Sequence, residues 1–152
     1  MFLWRISNHD TLDGRGGLIA SARWHTRGRP VVYLATTPAG AMVEALVHLE
    51  LRPNQLPKSY RLMKVEAADD LGKMQFSALT EDWRQNEIVS RTLGDEWLAQ
   101  NHTALLEVPS AILPETFNFL LNPVHPEAAR VRVLWHEAYP FDRRLFSGRE
   151  KS

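Results

Sequence analysis

The stretch from Ser21 to Leu51, SARWHTRGRPVVYLATTPAGAMVEALVHLEL, constrains the chain most, because it forces a loop, a buried strand and a helix to follow one another without slack. Pro30-Val31-Val32-Tyr33-Leu34-Ala35 is a short β-branched and aromatic run between Gly28 and Thr36-Thr37-Pro38. It predicts a strand with Val31, Tyr33 and Ala35 on one face. Thr37 is placed to cap a helix whose first residue is Pro38, where the missing N–H costs nothing. A helical wheel centred on Met42 gathers Ala39, Ala45, Leu46 and Leu49 as the packed face and puts Glu44 and His48, with Gly40 and Ala41, on the opposite side. Pro53 stops the helix. Arg23, Tyr33 and Glu44 therefore arrive on three consecutive elements, and the small residues beside Glu44 leave room for another molecule to come close. Taken singly, each has a plainer reading, Glu44 as a solvated carboxylate on an outer helix face.

A length of 152 residues predicts one domain, 1–152, able to bury roughly 70% of its unfolded surface. There is no cysteine, so a disulfide framework, a Cys-based zinc site and a thiol nucleophile are excluded; a reducing cytoplasm fits that composition. No segment has the pattern of a signal peptide or the length of a membrane span, which predicts a cytoplasmic protein that does not enter membranes. Eighteen basic residues balance eighteen acidic ones, and no basic block is present, so direct nucleic-acid binding is not expected. Fourteen of the eighteen basic residues are arginine, the side chain suited to forked contacts with phosphate or carboxylate.

Further along the chain, Phe2–Ile6 predicts a first strand and Asn8–Gly17 a polar loop with three glycines. Arg52–Lys58 is a proline-punctuated connector, Tyr60–Glu66 a strand, and Trp83–Gln100 a helix with Ile88, Leu93, Trp97 and Leu98 as core candidates and Gly94 as a break or close-packing point. Thr103–Val108 predicts a strand ending at Pro109-Ser110, and Phe117–Leu121 another ending at Asn122-Pro123. A short helix over Glu127–Arg130, a long strand over Val131–Ala138 and a packing segment over Phe141–Phe146 complete the order. Strands outnumber a simple βαβ rhythm, which predicts an α+β domain with a bent, mostly antiparallel sheet and flanking helices.

The well-marked dinucleotide, phosphate-loop, zincin and hydrolase patterns are absent. Glu44 and His48 have the spacing of a metal pair, but a third ligand would have to come from elsewhere, for example His125, and no metal is expected. Asn122-Pro123-Val124-His125-Pro126 reads by itself as a rigid turn, and Ser110 as a strand-end hydroxyl bonded to backbone.

Several segments together carry a resemblance. Arg23-Trp24, Gly28-x-Pro30-Val31-Val32-Tyr33-Leu34, Glu44-Ala45-Leu46-Val47-His48-Leu49, Gly94-Asp95-x-Trp97-Leu98, Val108-Pro109-Ser110-Ala111, Asn118, Asn122-Pro123-x-His125-Pro126 and Phe141-Asp142-x-Arg144-Leu145 run in order over nearly the whole chain. In this the chain resembles the RES domain family, named for an arginine, a glutamate and a serine that fall here on Arg23, Glu44 and Ser110; Tyr33 matches a tyrosine found with them. Around Arg23 the family pattern is glycine-rich with a Gly-Arg-Trp-Asn core, whereas this chain has Ser21-Ala22-Arg23-Trp24-His25.

The resemblance implies an ADP-ribosyltransferase-like fold and the toxin of a bacterial type II pair, held by an Xre-type helix-turn-helix antitoxin. It also implies an enzyme that consumes NAD as substrate, with Glu44, Arg23, Tyr33 and Ser110 as catalytic residues and Trp24, Asn122 and His125 joining Arg23, Tyr33 and Ser110 around the NAD. Water, phosphate or a protein could each be the acceptor, and a homodimer is compatible with the pattern. Two other readings stand beside it: a catalytically silent binding domain of the same fold, and a metal-independent RNase using His125 and Glu44, which the neutral charge disfavours.

Overall fold

The computed structural model describes residues 1–49, 58–138 and 140–146. The expected helix stop at Pro53 and all of the Arg52–Lys58 connector except Lys58 lie outside them. The elements are β1 (Phe2–Ser7), α1 (Arg15–Ile19), β2 (Val32–Ala35), α2 (Pro38–Leu49), β3 (Arg61–Ala67), β4 (Lys73–Gln75), α3 (Glu87–Gln100), β5 (Leu105–Pro109), β6 (Phe117–Leu121) and β7 (Val131–Ala138), with 3-10 turns at Pro126–Arg130 and Arg143–Phe146. All strands form one sheet in the order β4-β5-β6-β2-β1-β3-β7. Every pairing is antiparallel except β4 with β5. The sheet is therefore mixed, and β4 is its unforeseen strand: Lys73-Met74-Gln75 is too short and polar to show a strand pattern.

Pairing in register assigns every strand residue to one of two faces. Leu3, Val32, Leu34, Met63, Val65, Leu105, Phe119, Leu121 and Val131 line one face and are buried in a single cluster. Among the described residues, the only helical contribution to that cluster is Ala128 in a 3-10 turn.

Both long helices lie on the other face. Tyr33, Leu106, Val108 and Leu120 pack there with Trp97 and Leu98 of α3, and Ile6 packs with Ala45, Met42, Leu46 and Leu49 of α2. Helix α2 begins as expected: the Gly40 N–H donates to Thr37 Oγ1 at 2.9 Å, and the Ala41 N–H donates to the Thr37 carbonyl. Met42, Ala45, Leu46 and Leu49 pack as expected, but the helix is rolled from the expected wheel. Ala41 and Ala45 are its buried residues and Ala39 is exposed. The helix seats on β1 and β2 through alanine, with Met42 and Leu46 on one flank and Glu44 on the other. Centring on the bulkiest side chain misjudged this, because close approach of a helix to a sheet favours the smallest residues at the contact.

Helix α3 starts at Glu87 rather than Trp83, since Thr80–Asn86 forms turns in which the Trp83 N–H donates to the Thr80 carbonyl. Its buried positions are Ser90, Gly94, Trp97 and Leu98, while Ile88, expected in the core, is 74% exposed. Ser90 and Gly94 face backbone instead of side chains, which is why an apolar count overlooks them. A Cβ added at Gly94 would lie 1.7 Å from the Trp24 carbonyl oxygen. Likewise α1, expected as loop, is a short helix pressed against the strand entry, where a Cβ on Gly17 would meet the Arg29 carbonyl oxygen at 2.3 Å.

Gly94→Ala should therefore force α3 away from the Trp24 backbone and lower stability by about 1–3 kcal/mol, the usual range for overpacking. Urea unfolding measures it; a midpoint equal to that of wild type would show that the helix shifts freely.

Candidate functional site

Glu44 faces across the sheet from the flank of α2. Its Oε1 accepts two hydrogen bonds, from Ser110 Oγ at 3.0 Å and from Asn118 Nδ2 at 2.9 Å. Among the described residues no hydrogen bond reaches Oε2. The two donors come from rigid supports. Asn118 sits within β6, paired with Ala35 on one side and Val108 on the other. Ser110 follows β5 directly and is 2% exposed; its Oγ accepts the backbone N–H groups of Ile112 (3.1 Å) and Leu113 (3.3 Å), and its own N–H donates to the Thr116 carbonyl at 2.7 Å. With both acceptor directions filled, the hydroxyl proton is left for Glu44. The strand-end serine bonded to backbone is thus realised, and the same hydroxyl also holds the carboxylate.

Tyr33 lies on the same sheet face, two residues before Ala35. Its hydroxyl accepts the Trp24 N–H at 3.1 Å and donates to His25 Nδ1 at 2.8 Å; His25 in turn donates from Nε2 to the Ala20 carbonyl at 2.8 Å. This chain of bonds has one consistent proton arrangement, with a neutral imidazole protonated on Nε2. Burial holds the His25 imidazole below its ordinary value and pushes the Tyr33 phenol well above its own. The departure from the family pattern at His25 therefore has a structural meaning: this side chain ties the loop to the strand.

The loop is also bound to α3. Ser90 Oγ donates to the Arg23 carbonyl (2.6 Å), Arg91 Nε to the Ala22 carbonyl (2.8 Å), and Asp95 accepts from the Thr26 N–H (2.9 Å) and hydroxyl (2.6 Å). The Trp24 ring is buried against Phe76 and Trp83, with centroids at 5.7 and 5.5 Å. The Arg23 side chain reaches the start of α3 and the turn before it. Its Nη1 donates to the Arg84 carbonyl at 3.0 Å and its Nη2 lies 3.5 Å from Glu87 Oε1. A partly exposed pair of that length is worth about 0–1 kcal/mol, so turning the guanidinium toward another anion gives up mainly the hydrogen bond to the Arg84 carbonyl.

The sequence-predicted residues fall into three groups. Glu44 and Ser110 are in contact, joined by Asn118. Tyr33 joins Trp24 and fixes the loop that carries Arg23. Asn122 and His125 lie past the opposite end of β6 and hold their own turn: Asn122 Nδ2 donates to Asn101 Oδ1, Asn122 Oδ1 accepts the Val124 N–H, and His125 Nδ1 accepts the Glu127 N–H. A groove of about 590 Å³, lined in part by Ile6, Pro38, Met42, Leu62 and Leu145, follows the far flank of α2; none of Arg23, Tyr33, Glu44 and Ser110 borders it. Sequence reasoning gave no role to Ser90, Arg91 and Asp95, whose signal was three polar residues on an otherwise packed helix stripe, or to Asn118, a lone amide in an apolar strand. Among the described residues, no three His, Asp or Glu side chains cluster as a metal site would require, and no helix is long and apolar enough to cross a membrane.

The His25 arrangement predicts a pH dependence. A folded-state pKa below the unfolded value means that the stabilising contribution is complete above about pH 6.5 and is lost as pH falls through the lower folded value. The stability gap between wild type and His25→Asn, from urea unfolding, should be wide near about pH 7.5 and shrink near about pH 5. A gap of the same size at both would rule out ionisation of this imidazole as the cause.

With this geometry in hand, comparison with known proteins is direct. The model of the RES domain matches residues 2–143. A protein called Toxin Res from Pseudomonas putida KT2440 is 47% identical over 96% of this chain and 100% of its own length. The Prs ADP-ribosylating toxin of Sphingobium sp. YBL2 is 33% identical over 93% of this chain and 94% of its own. A chain in the crystal structure of the M. tuberculosis MbcT–MbcA toxin–antitoxin complex shares the fold, with a TM-score of 0.74 at 15% identity over 95% of this chain and 86% of that one. The 142 matched residues hold every element from β1 to β7: the chain belongs to the RES domain family.

Proposed function

We propose that this chain is the toxin of a toxin–antitoxin pair and that it acts by cleaving the bond between ribose and nicotinamide in NAD. The observation that carries this reading is the state of Glu44: one carboxylate oxygen is tied down by Ser110 and Asn118, and the other is left over the sheet face. The names of the relatives support it: both are called toxins, and one of the two ADP-ribosylating.

When this glycosidic bond breaks, its electron pair leaves with a neutral nicotinamide, so no general acid is needed. Positive charge grows on the ribose, and a fixed carboxylate stabilises it as the second carboxylate does in glycoside hydrolysis. Glu44 Oε2 has that role and also orients a ribose hydroxyl or the incoming nucleophile, which bonds to the ribose carbon as its proton passes to Glu44 and on to solvent. Arg23, loosely held by Glu87, swings to the diphosphate and grips it with forked, charge-assisted bonds. Tyr33 offers its ring beside the nicotinamide end, while its hydroxyl keeps the Arg23 loop in place. Ser110 acts through Glu44. Trp24 shapes the wall beside the Arg23 loop, while Asn122 and His125 hold the turn past the far end of β6.

The Sphingobium relative's name favours a protein as acceptor; with water in its place the same machinery is a glycohydrolase. An enzyme of this kind must be restrained in its own cytoplasm, which calls for a neutralising antitoxin that covers the Glu44 face; the family resemblance implies one of helix-turn-helix type.

Incubation of the purified protein with NAD should release free nicotinamide, and absence of release with a folded protein, with or without added cell extract as acceptor source, would overturn the reading. Glu44→Gln should lose about 3 kcal/mol of transition-state stabilisation, roughly a hundredfold in rate, and keep NAD affinity, because the charge it meets appears only as the bond stretches. Arg23→Ala should instead weaken NAD binding, since the diphosphate is charged throughout. Calorimetric titration and nicotinamide release separate the two; a wild-type rate for Glu44→Gln would return Glu44 to an ordinary surface carboxylate.

A further inference from the structure

We propose that Asn118 is the positioning residue that aims Glu44, an inference that rests on the role given to Glu44 above. Its side chain reaches the carboxylate from the centre of the sheet, Nδ2 to Oε1 at 2.9 Å. Its backbone has hydrogen-bonded strands on both sides, with Ala35 and Val108 as partners, so the donor's origin is as fixed as any point in the fold. Ser110 approaches the same oxygen from a turn whose hydroxyl rotor is already set by two backbone N–H groups. Two donors of different provenance converging on one oxygen fix the plane of the carboxylate. One donor would leave it free to swivel about that contact.

The amide does this at a cost that packing does not explain. Asn118 Oδ1 is buried with no hydrogen-bond partner, and an orphaned acceptor in a protein interior is a net loss. Turning the amide over would satisfy nothing, because Oδ1 would then face a carboxylate oxygen. The carboxylate therefore dictates the amide's orientation and strands the other end. A residue kept at this point of the sheet for stability alone would be apolar, as Leu120 is two residues further along the same face. The structure assigns Asn118 to the work of Glu44.

The test is a double-mutant cycle on nicotinamide release. Asn118→Ala should lower turnover on the order of tenfold to a hundredfold, the scale of a misplaced catalytic group, with KM for NAD little changed and the folded signal by circular dichroism retained. In a Glu44→Gln background the same substitution should change the residual rate by less than about twofold, since a residue acting through Glu44 has nothing left to aim. A wild-type rate for Asn118→Ala, or an equal loss in both backgrounds, overturns the proposal. Should Asn118→Ala not fold, Asn118→Leu fills the same space without a donor and is expected to give the same pattern. Growth arrest on induction provides a readout that does not presuppose NAD. If wild type arrests growth without releasing nicotinamide, the NAD reading fails, and relief of arrest by Asn118→Ala at equal protein level still supports the aiming of Glu44; unrelieved arrest sinks it.

Discussion

The carbonyl of Trp24 lies so close to Gly94 that a single methyl group there would sit 1.7 Å from its oxygen, and the rest of the site is arranged around that approach. It lets Ser90, Arg91 and Asp95 reach the backbone and side chains of the Arg23 loop, and it brings Trp24 onto Phe76 and Trp83. The loop is then caught between a helix and the Tyr33 hydroxyl. A segment with little regular structure of its own becomes a fixed wall, and the order needed at Arg23 is supplied by neighbours that have already lost their conformational freedom.

The same economy of size seats α2. Ala41 and Ala45 touch the sheet, which lowers the helix far enough for Glu44, on its flank, to reach Ser110 and Asn118 beyond β2. A helix resting on Met42 and Leu46 would stand higher, and the carboxylate would face water. The two helices thus hold opposite sides of one sheet face, each brought near by side chains too small to appear in a count of apolar residues.

That is also where the sequence stopped being legible. Strands β1, β2, β3, β5, β6 and β7 were read to within two residues at each end, because alternation and Gly/Pro punctuation are local signals. The grouping of Arg23, Glu44 and Ser110 came from the family pattern, and their elements were placed correctly. What could not be read were contacts made by smallness or by backbone: the roll of α2, the exposed Ile88, the short helix at Arg15–Ile19 and the three-residue strand β4, which exists only because β5 offers it a partner. The part played by His25 was equally hidden, for a substitution in a loop pattern reveals nothing until the hydroxyl it meets is in view.

Ser110 has one proton and two lone pairs, and all three are assigned: Ile112 and Leu113 take the lone pairs, and Glu44 receives the proton. A hydroxyl in water samples many directions, and a carboxylate leaning on one would have to wait for it. Here the rotor is stopped before any substrate arrives. The charge that Glu44 presents is backed by a dipole that needs no reorientation when positive charge develops opposite it, so the reorganisation that solvent would require during the reaction has already been completed during folding.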